Sequence, residues 1–211
     1  SVIPDVRCQH IDRIEEKEEV LRYFLQRLFG FNSFRPGQFE IISRILAGKD
    51  TFGIMATSAG KSLCFQFPAM LLPGITLVVA PLKSLVQDQI SNLHRMGFEN
   101  VTRIDSDAES IEDALNRIME GYYKLIYITP EQLTNERVVA KLCEAGKRHG
   151  FSLFAVDEVH CLSQWGHDFR PAYLNLYRHL FALEPFADKT VPILGLTATA
   201  SEYVIDDVLT S

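Results

Sequence analysis

Met55-Ala56-Thr57-Ser58-Ala59-Gly60-Lys61-Ser62 is the stretch whose reading decides the fold of this chain. It follows a short apolar run, Thr51-Phe52-Gly53-Ile54-Met55, that reads as a buried strand, and it precedes Leu63-Cys64-Phe65-Gln66-Phe67, the first turns of a helix. Strand, small-residue loop, Gly-Lys-Ser and helix is the layout of a phosphate-binding loop. Backbone N–H groups at the loop and helix start point at an anion, and the helix dipole favours negative charge there. In that reading residues 57–62 cradle the phosphates, Lys61 reaches the β- and γ-phosphates, and the Ser62 hydroxyl sits on Mg2+. The usual pattern opens on a glycine where Met55 stands, and Ser58 and Ala59 precede Gly60. A loop with a single glycine must hold its other residues in backbone conformations open to a Cβ.

Working outward, apolar side chains from Ile11 to Leu28 fall at helical spacing, and Gly30 is the expected stop. The Glu/Lys run between them reads as a solvated face. Phe31-Asn32-Ser33-Phe34-Arg35-Pro36-Gly37-Gln38 follows, with Pro36 expected in the first turn of a helix that buries Ile41, Ile42, Ile45 and Leu46. The Gln38 amide carries both a donor and an acceptor, which suits either the edge of a base or an ordinary helix start.

After the loop the pattern becomes regular. Strands are expected over 75–80, 101–104, 125–128, 151–156 and 193–196, with helices marked by the apolar positions of 85–93, 111–118 and 138–145. Such alternation means βαβ units in an α/β fold: a mostly parallel sheet with helices on both faces. Functional loops of such sheets lie at the carboxyl ends of the strands. The unusual loops here, 56–62, 80–84, 128–131, 157–170 and 197–199, all fall there.

The chain has 211 residues, enough for one large domain or one domain with a helical extension. Apolar residues make up 47%, sufficient for a two-sided core. No apolar run approaches the ~20 residues of a membrane span, and the Glu/Lys-rich start is no signal peptide. A net charge of −6 argues against a wholesale basic surface, though a local groove for nucleic acid stays open. The four cysteines, Cys8, Cys64, Cys143 and Cys161, are widely spaced and read as reduced thiols of an intracellular protein. No spacing around His160, Cys161 and His167 fits a zinc pair.

Strand 151–156 ends in Asp157-Glu158-Val159-His160. Two carboxylates at the tip of an apolar strand fit a metal-and-water site, Asp157 holding Mg2+ and Glu158 orienting the attacking water. The alternative is a turn and helix cap. The segment Cys161–Pro171 then gathers the only Trp of the chain, Trp165, with His167, Phe169 and Arg170. Aromatic rings beside a cation suit stacking on single-stranded nucleic acid, and equally an aromatic plug under a loop.

The set Phe34-Arg35-Pro36-Gly37-Gln38, Gly60-Lys61-Ser62-Leu63-Cys64, Ala80-Pro81-Leu82-Lys83-Ser84-Leu85, Asp157 to Pro171 and Leu196-Thr197-Ala198-Thr199-Ala200 closely resembles the first RecA-like motor lobe of RecQ-family DNA helicases. The likeness covers roughly residues 29–210, and 157–171 is its most specific part. The loop and the helix after it look most like the Werner syndrome helicase branch. The resemblance implies ATP and Mg2+ as cofactors and DNA as partner. Arg35 and Gln38 would contact the nucleotide, with Phe31 against the base, and Thr57, Ser58, Ala59, Gly60, Lys61 and Ser62 would hold its phosphates. Pro81, Lys83 and Ser84 would lie along the DNA backbone, Trp165, Phe169 and Arg170 would sense single strands, and His160, Thr197 and Thr199 would couple hydrolysis to strand separation.

The helical spacing marks residues 1–30 as a helical extension ahead of a lobe over 31–211, and the resemblance implies 3′ to 5′ movement and a place in the nucleus, or in the cytoplasm of a bacterium. Val159 stands where the family has alanine. A second lobe supplying an arginine finger is not found before Ser211, so the chain by itself is expected to bind ATP weakly at most and to unwind nothing. An RNA helicase of the Asp-Glu-x-His type and a non-hydrolysing scaffold are the competing readings.

Overall fold

The computed structural model describes residues 14–105, 108–159 and 191–198. Helix α1 (Ile14–Phe29) buries Leu25 and Phe29 and ends before Gly30, as its spacing predicts. Helix α2 (Gln38–Leu46) buries Ile41, Ile42 and Ile45. It starts later than expected: Pro36 sits in a turn, because Gly37 adopts φ 84°, a left-handed conformation that no helix interior accommodates.

The remaining elements follow the alternation read from the sequence. They are β1 (Thr51–Ile54), α3 (Leu63–Leu71), β2 (Ile75–Val79), α4 (Lys83–Arg95), β3 (Val101–Ile104), α5 (Ala108–Met119), β4 (Leu125–Ile128), α6 (Glu136–His149), β5 (Phe151–Val156) and β6 (Ile193–Thr197). Among the described residues the strands form one sheet in the order β1-β6-β5-β2-β4-β3, and every pairing is parallel.

Strands β2, β4 and β5 are buried along their whole length, which is why they read as unbroken apolar runs rather than as alternation. Successive side chains still part to opposite faces. Val78, Leu153 and Ala155 join α1, α2, α3 and α4 in one core, while Leu77, Val79 and Phe154 join α5 and α6 in the other. The one polar crossing inside β2 and β5 is a hydroxyl pair, Thr76 and Ser152, at 2.9 Å. It satisfies two groups that would otherwise be costly to bury.

This order positions the loops. Ile54 pairs with Thr197, and Val79 pairs with both Ile128 and Val156. The amide of Asp157 extends the ladder by donating to Val79 O at 2.9 Å. The segments after β1, β2, β4, β5 and β6 therefore share one edge of the sheet, as predicted for every described part of the unusual loops.

Gly146 shows how closely α6 lies on β5. A Cβ there would stand 1.9 Å from Phe151 Cε2. Alanine at a helix interior normally gains about 1 kcal/mol over glycine. Here overpacking wins, and Gly146→Ala should lose about 1–2 kcal/mol in urea denaturation. A gain in stability would contradict the packing described.

Candidate functional site

The strand leading into the loop ends in a packed anchor. Met55 is buried, its amide donates to Thr197 O at 2.9 Å, and its sulfur lies 3.6 Å from Cys64 Sγ. Thr57–Ala59 then form a single 3-10 turn closed by Ala59 N donating to Ala56 O at 2.9 Å. Gly60 alone turns left-handed, at φ 74°. Ser58 and Ala59 keep negative φ, so the loop meets the single-glycine condition that its sequence imposes.

Two residues ahead of α2 and at its start hold this turn. Gln38, buried, donates through Nε2 to Ala59 O at 3.1 Å and to Gly60 O at 2.9 Å, while its Oε1 accepts from the Arg35 amide at 2.8 Å. Arg35 Nη1 donates to Ser58 O at 2.5 Å. Both amide hydrogens of Gln38 are thus engaged by the loop, so offering them to a base edge requires these bonds to exchange. A Cβ on Gly60 would lie 2.8 Å from Gln38 Nε2, a second reason for glycine there.

Lys61 and Ser62 follow, where α3 begins. Leu63, Cys64 and Phe65 donate to the carbonyls of Gly60, Lys61 and Ser62 at 3.2, 3.0 and 3.2 Å. The amides of Lys61 and Ser62 thus stand at the mouth of α3, the end of a helix that suits an anion. Lys61 is buried, and its Nζ pairs with Glu158 Oε1 from the end of β5. The sequence-predicted lysine and acidic tip therefore meet across the sheet edge.

Glu158 is the one described non-glycine residue with positive φ, 53°. Its amide bonds to Asp157 Oδ1 at 3.0 Å. A left-handed backbone at a non-glycine residue costs about 1–3 kcal/mol and is found where the surroundings over-determine it. A cleft of about 660 Å3 opens beside the loop, bordered by Phe31, Arg35, Gln38, Gly60 and Ser62 and by the polar side of α4. That volume falls within the range of small-molecule sites. Phe31 stands half-exposed at its rim.

The predicted nucleic-acid residues lie further along the same edge. Pro81 is half-buried, and Lys83 and Ser84 are exposed at the start of α4. Lys83 borders a small pocket shared with Arg103, Asp105 and Thr129, where Arg103 Nε pairs with Asp105 Oδ2 at 3.1 Å. Thr197 is buried, its carbonyl holding Met55. His160, Trp165, Phe169, Arg170 and Thr199 lie outside the described residues, as do Cys8 and Cys161. Among the described residues no helix is long and apolar enough to cross a membrane.

Sequence reasoning passed over three residues: Gln66 of α3 and Gln89 of α4, which line the cleft, and Tyr127 of β4, whose hydroxyl meets both. A signal was present. Gln66 interrupts an otherwise apolar helix, and Tyr127 is the single hydroxyl in an apolar strand.

Parallel order and an amide-lined loop define a RecA-like nucleotide-binding lobe. The chain belongs to the DEAD/DEAH box helicase family, whose model matches residues 35–208. It is 42% identical over 191 residues to the putative ATP-dependent DNA helicase Q1 of Caenorhabditis elegans, covering 87% of this chain and 29% of that one. It is 41% identical over 191 residues to the ATP-dependent DNA helicase RecQ of Pasteurella multocida, covering 88% of this chain and 28% of the relative. The chain thus spans under a third of the length of both relatives. In fold it is similar to the DUF1998 helicase MrfA, with a TM-score of 0.66 at 18% identity, over 92% of this chain and 31% of that one.

Burial pushes the Cys64 thiol up to about 12. At pH 8 about one molecule in ten thousand would then carry the thiolate there. Alkylation at pH 8 followed by peptide mass spectrometry should leave Cys64 unmodified until the protein is unfolded. Rapid labelling of folded protein would contradict the packed Met55–Cys64 floor.

Proposed function

We propose that this chain is the ATP-binding motor lobe of an ATP-dependent DNA helicase moving 3′ to 5′. The observation that carries the reading is the meeting of Lys61, at the mouth of α3, with Glu158, at the tip of β5. Membership of the helicase family and the similarity to ATP-dependent DNA helicases support it.

In this reading the amides of residues 57–62 and the Lys61 ammonium take the triphosphate, with Arg35, Gln38 and Phe31 on its nucleoside side. Lys61 exchanges Glu158 for phosphate oxygens as the nucleotide binds. The released Glu158 carboxylate then orients a water and accepts its proton. The Ser62 hydroxyl and the Asp157 carboxylate are an oxygen donor pair that fits Mg2+, which takes one or two carboxylates along with substrate phosphates and needs no larger protein cage. Among the described residues no group of three or more metal-binding side chains competes with that pair. Bound there, the ion supplies charge neutralisation on the transferred phosphoryl group.

The outer edge of the sheet faces the nucleic acid. Pro81, Lys83 and Ser84 follow the phosphate backbone, Trp165, Phe169 and Arg170 sense single strands and pass that signal to the ATP site, and His160, Thr197 and Thr199 couple hydrolysis to strand separation. Residues 31–211 form the lobe and residues 1–30 a helical extension. A second RecA-like lobe closes over the nucleotide and brings an arginine to the leaving phosphate. The parent protein acts on DNA in repair, recombination and replication, in a nucleus or in bacterial cytoplasm.

The test is Lys61→Ala in the full-length protein. ATP hydrolysis stimulated by single-stranded DNA should fall at least about a hundredfold, since a preorganised donor to developing phosphate charge is lost. No hydrolysis by the unaltered protein, with its nucleic-acid-dependent activity unchanged by Lys61→Ala, would favour a scaffold, and stronger stimulation of the unaltered protein by single-stranded RNA than by DNA would favour an RNA motor.

A further inference from the structure

At the wall of the cleft three polar side chains close a triangle, Gln66 and Gln89 lining the cleft and Tyr127 standing behind them. Gln66 Nε2 donates to Tyr127 OH at 2.9 Å and to Gln89 Oε1 at 3.2 Å, and Tyr127 OH donates to Gln89 Oε1 at 2.9 Å. Gln66 and Tyr127 are buried, and the Tyr127 ring packs edge-on against Phe65 at 6.0 Å between centroids. The triangle fixes the amide orientations. Gln89 presents its oxygen to two donors, and Gln66 uses both amide hydrogens. The packing of α3 and α4 around the triangle on this face of the sheet is largely apolar, with Lys124 Nζ donating to Met70 O at 3.3 Å and His94 Nε2 lying 3.4 Å from Val101 O at the margins.

Its corners lie on three functional elements. Gln66 sits one turn along α3 from Lys61 and Ser62. Gln89 lies in the middle of α4, whose exposed start carries Lys83 and Ser84. Tyr127 stands on β4, next to β2, whose other neighbour β5 leads directly into Asp157. A satisfied buried polar network has one preferred geometry, and breaking it leaves buried groups unpaired. A displacement of α4 must therefore either carry α3 with it or break directional bonds. The charge of Asp157 also bears on the Tyr127 hydroxyl and, with burial as the larger cause, keeps it protonated and able to donate.

We propose that Tyr127 is a positioning residue that couples α4 to the phosphate loop, so that engagement of a nucleic-acid strand at Lys83 and Ser84 resets Lys61 and Ser62. Tyr127 touches neither nucleotide nor strand in this role. It acts through Gln66 and Gln89. The inference rests on the motor reading above and names the regulation of that same site.

The experiment is Tyr127→Phe in the full-length protein, which keeps the ring against Phe65 and removes only the hydroxyl. ATP hydrolysis is measured with and without a saturating single-stranded oligodeoxynucleotide, alongside oligonucleotide affinity and thermal midpoint. The unstimulated rate, the affinity and the midpoint should stay within about twofold or a few degrees, while the stimulated rate falls about five- to tenfold, the scale of one or two lost hydrogen bonds. A purely structural hydroxyl would instead lower both rates together with the midpoint. Gln89→Leu should reduce stimulation similarly, and the double variant should be no worse than either single one, because the three residues act as a unit. Full stimulation of Tyr127→Phe, parallel loss of both rates, or additive effects in the double variant would overturn the proposal. If Lys61→Ala abolishes hydrolysis while Tyr127→Phe is fully stimulated, only this coupling fails. If Lys61→Ala stays active, the motor reading itself fails.

Discussion

A lysine ammonium from the start of α3 meets a carboxylate from the end of β5, and the architecture is what makes that meeting possible. The loop belongs to β1 and the acid to β5, with β6 between them. Two strand spacings separate the carriers by about 10 Å. Long side chains converging from the same sheet edge cover that distance. With β5 at the sheet margin or antiparallel, the same residues would never meet. The pair is largely buried, and removing one partner of such a pair typically costs about 3–5 kcal/mol because the other charge is left uncompensated. The left-handed backbone of Glu158 adds a further cost that the surrounding contacts must offset. Stability is conceded locally to hold the two charges together.

The loop itself is kept by its neighbours rather than by its own glycine content. Gln38 and Arg35 bind three successive carbonyls, those of Ser58, Ala59 and Gly60. Met55 and Cys64 pack beneath. External clamps of this kind let Ser58 and Ala59 stand where a freer loop relies on glycine, provided Gly60 remains to make the left-handed turn. Burial of Met55 and Gln38 thus explains a departure that local sequence alone presents as a defect.

Much of this was legible beforehand, and the reasons differ by element. Strands β2, β4 and β5 announce themselves because two covered faces demand apolar residues throughout. The loop and the Asp157-Glu158 pair are visible because phosphate chemistry restricts residue types at fixed spacing. The start of α2 was misplaced: Pro36 is a good first-turn residue in isolation, but the left-handed Gly37 that follows overrides it. The Gln66–Gln89–Tyr127 triangle stayed hidden because its members come from distant segments, and only the strand order brings them within 3.2 Å. Likewise the chemistry of the Gln38 amide leaves a base edge and a helix start open, whereas its bonds to the loop depend on how α2 docks against α3.

Hydrogen–deuterium exchange with and without Mg2+ and a non-hydrolysable ATP analogue examines the central claim directly. If the mouth of α3 and the tip of β5 are two halves of one site, peptides spanning 57–63 and 156–159 should become protected together, at the same nucleotide concentration. Protection of the loop with an unchanged β5 tip, or of neither, would contradict the account.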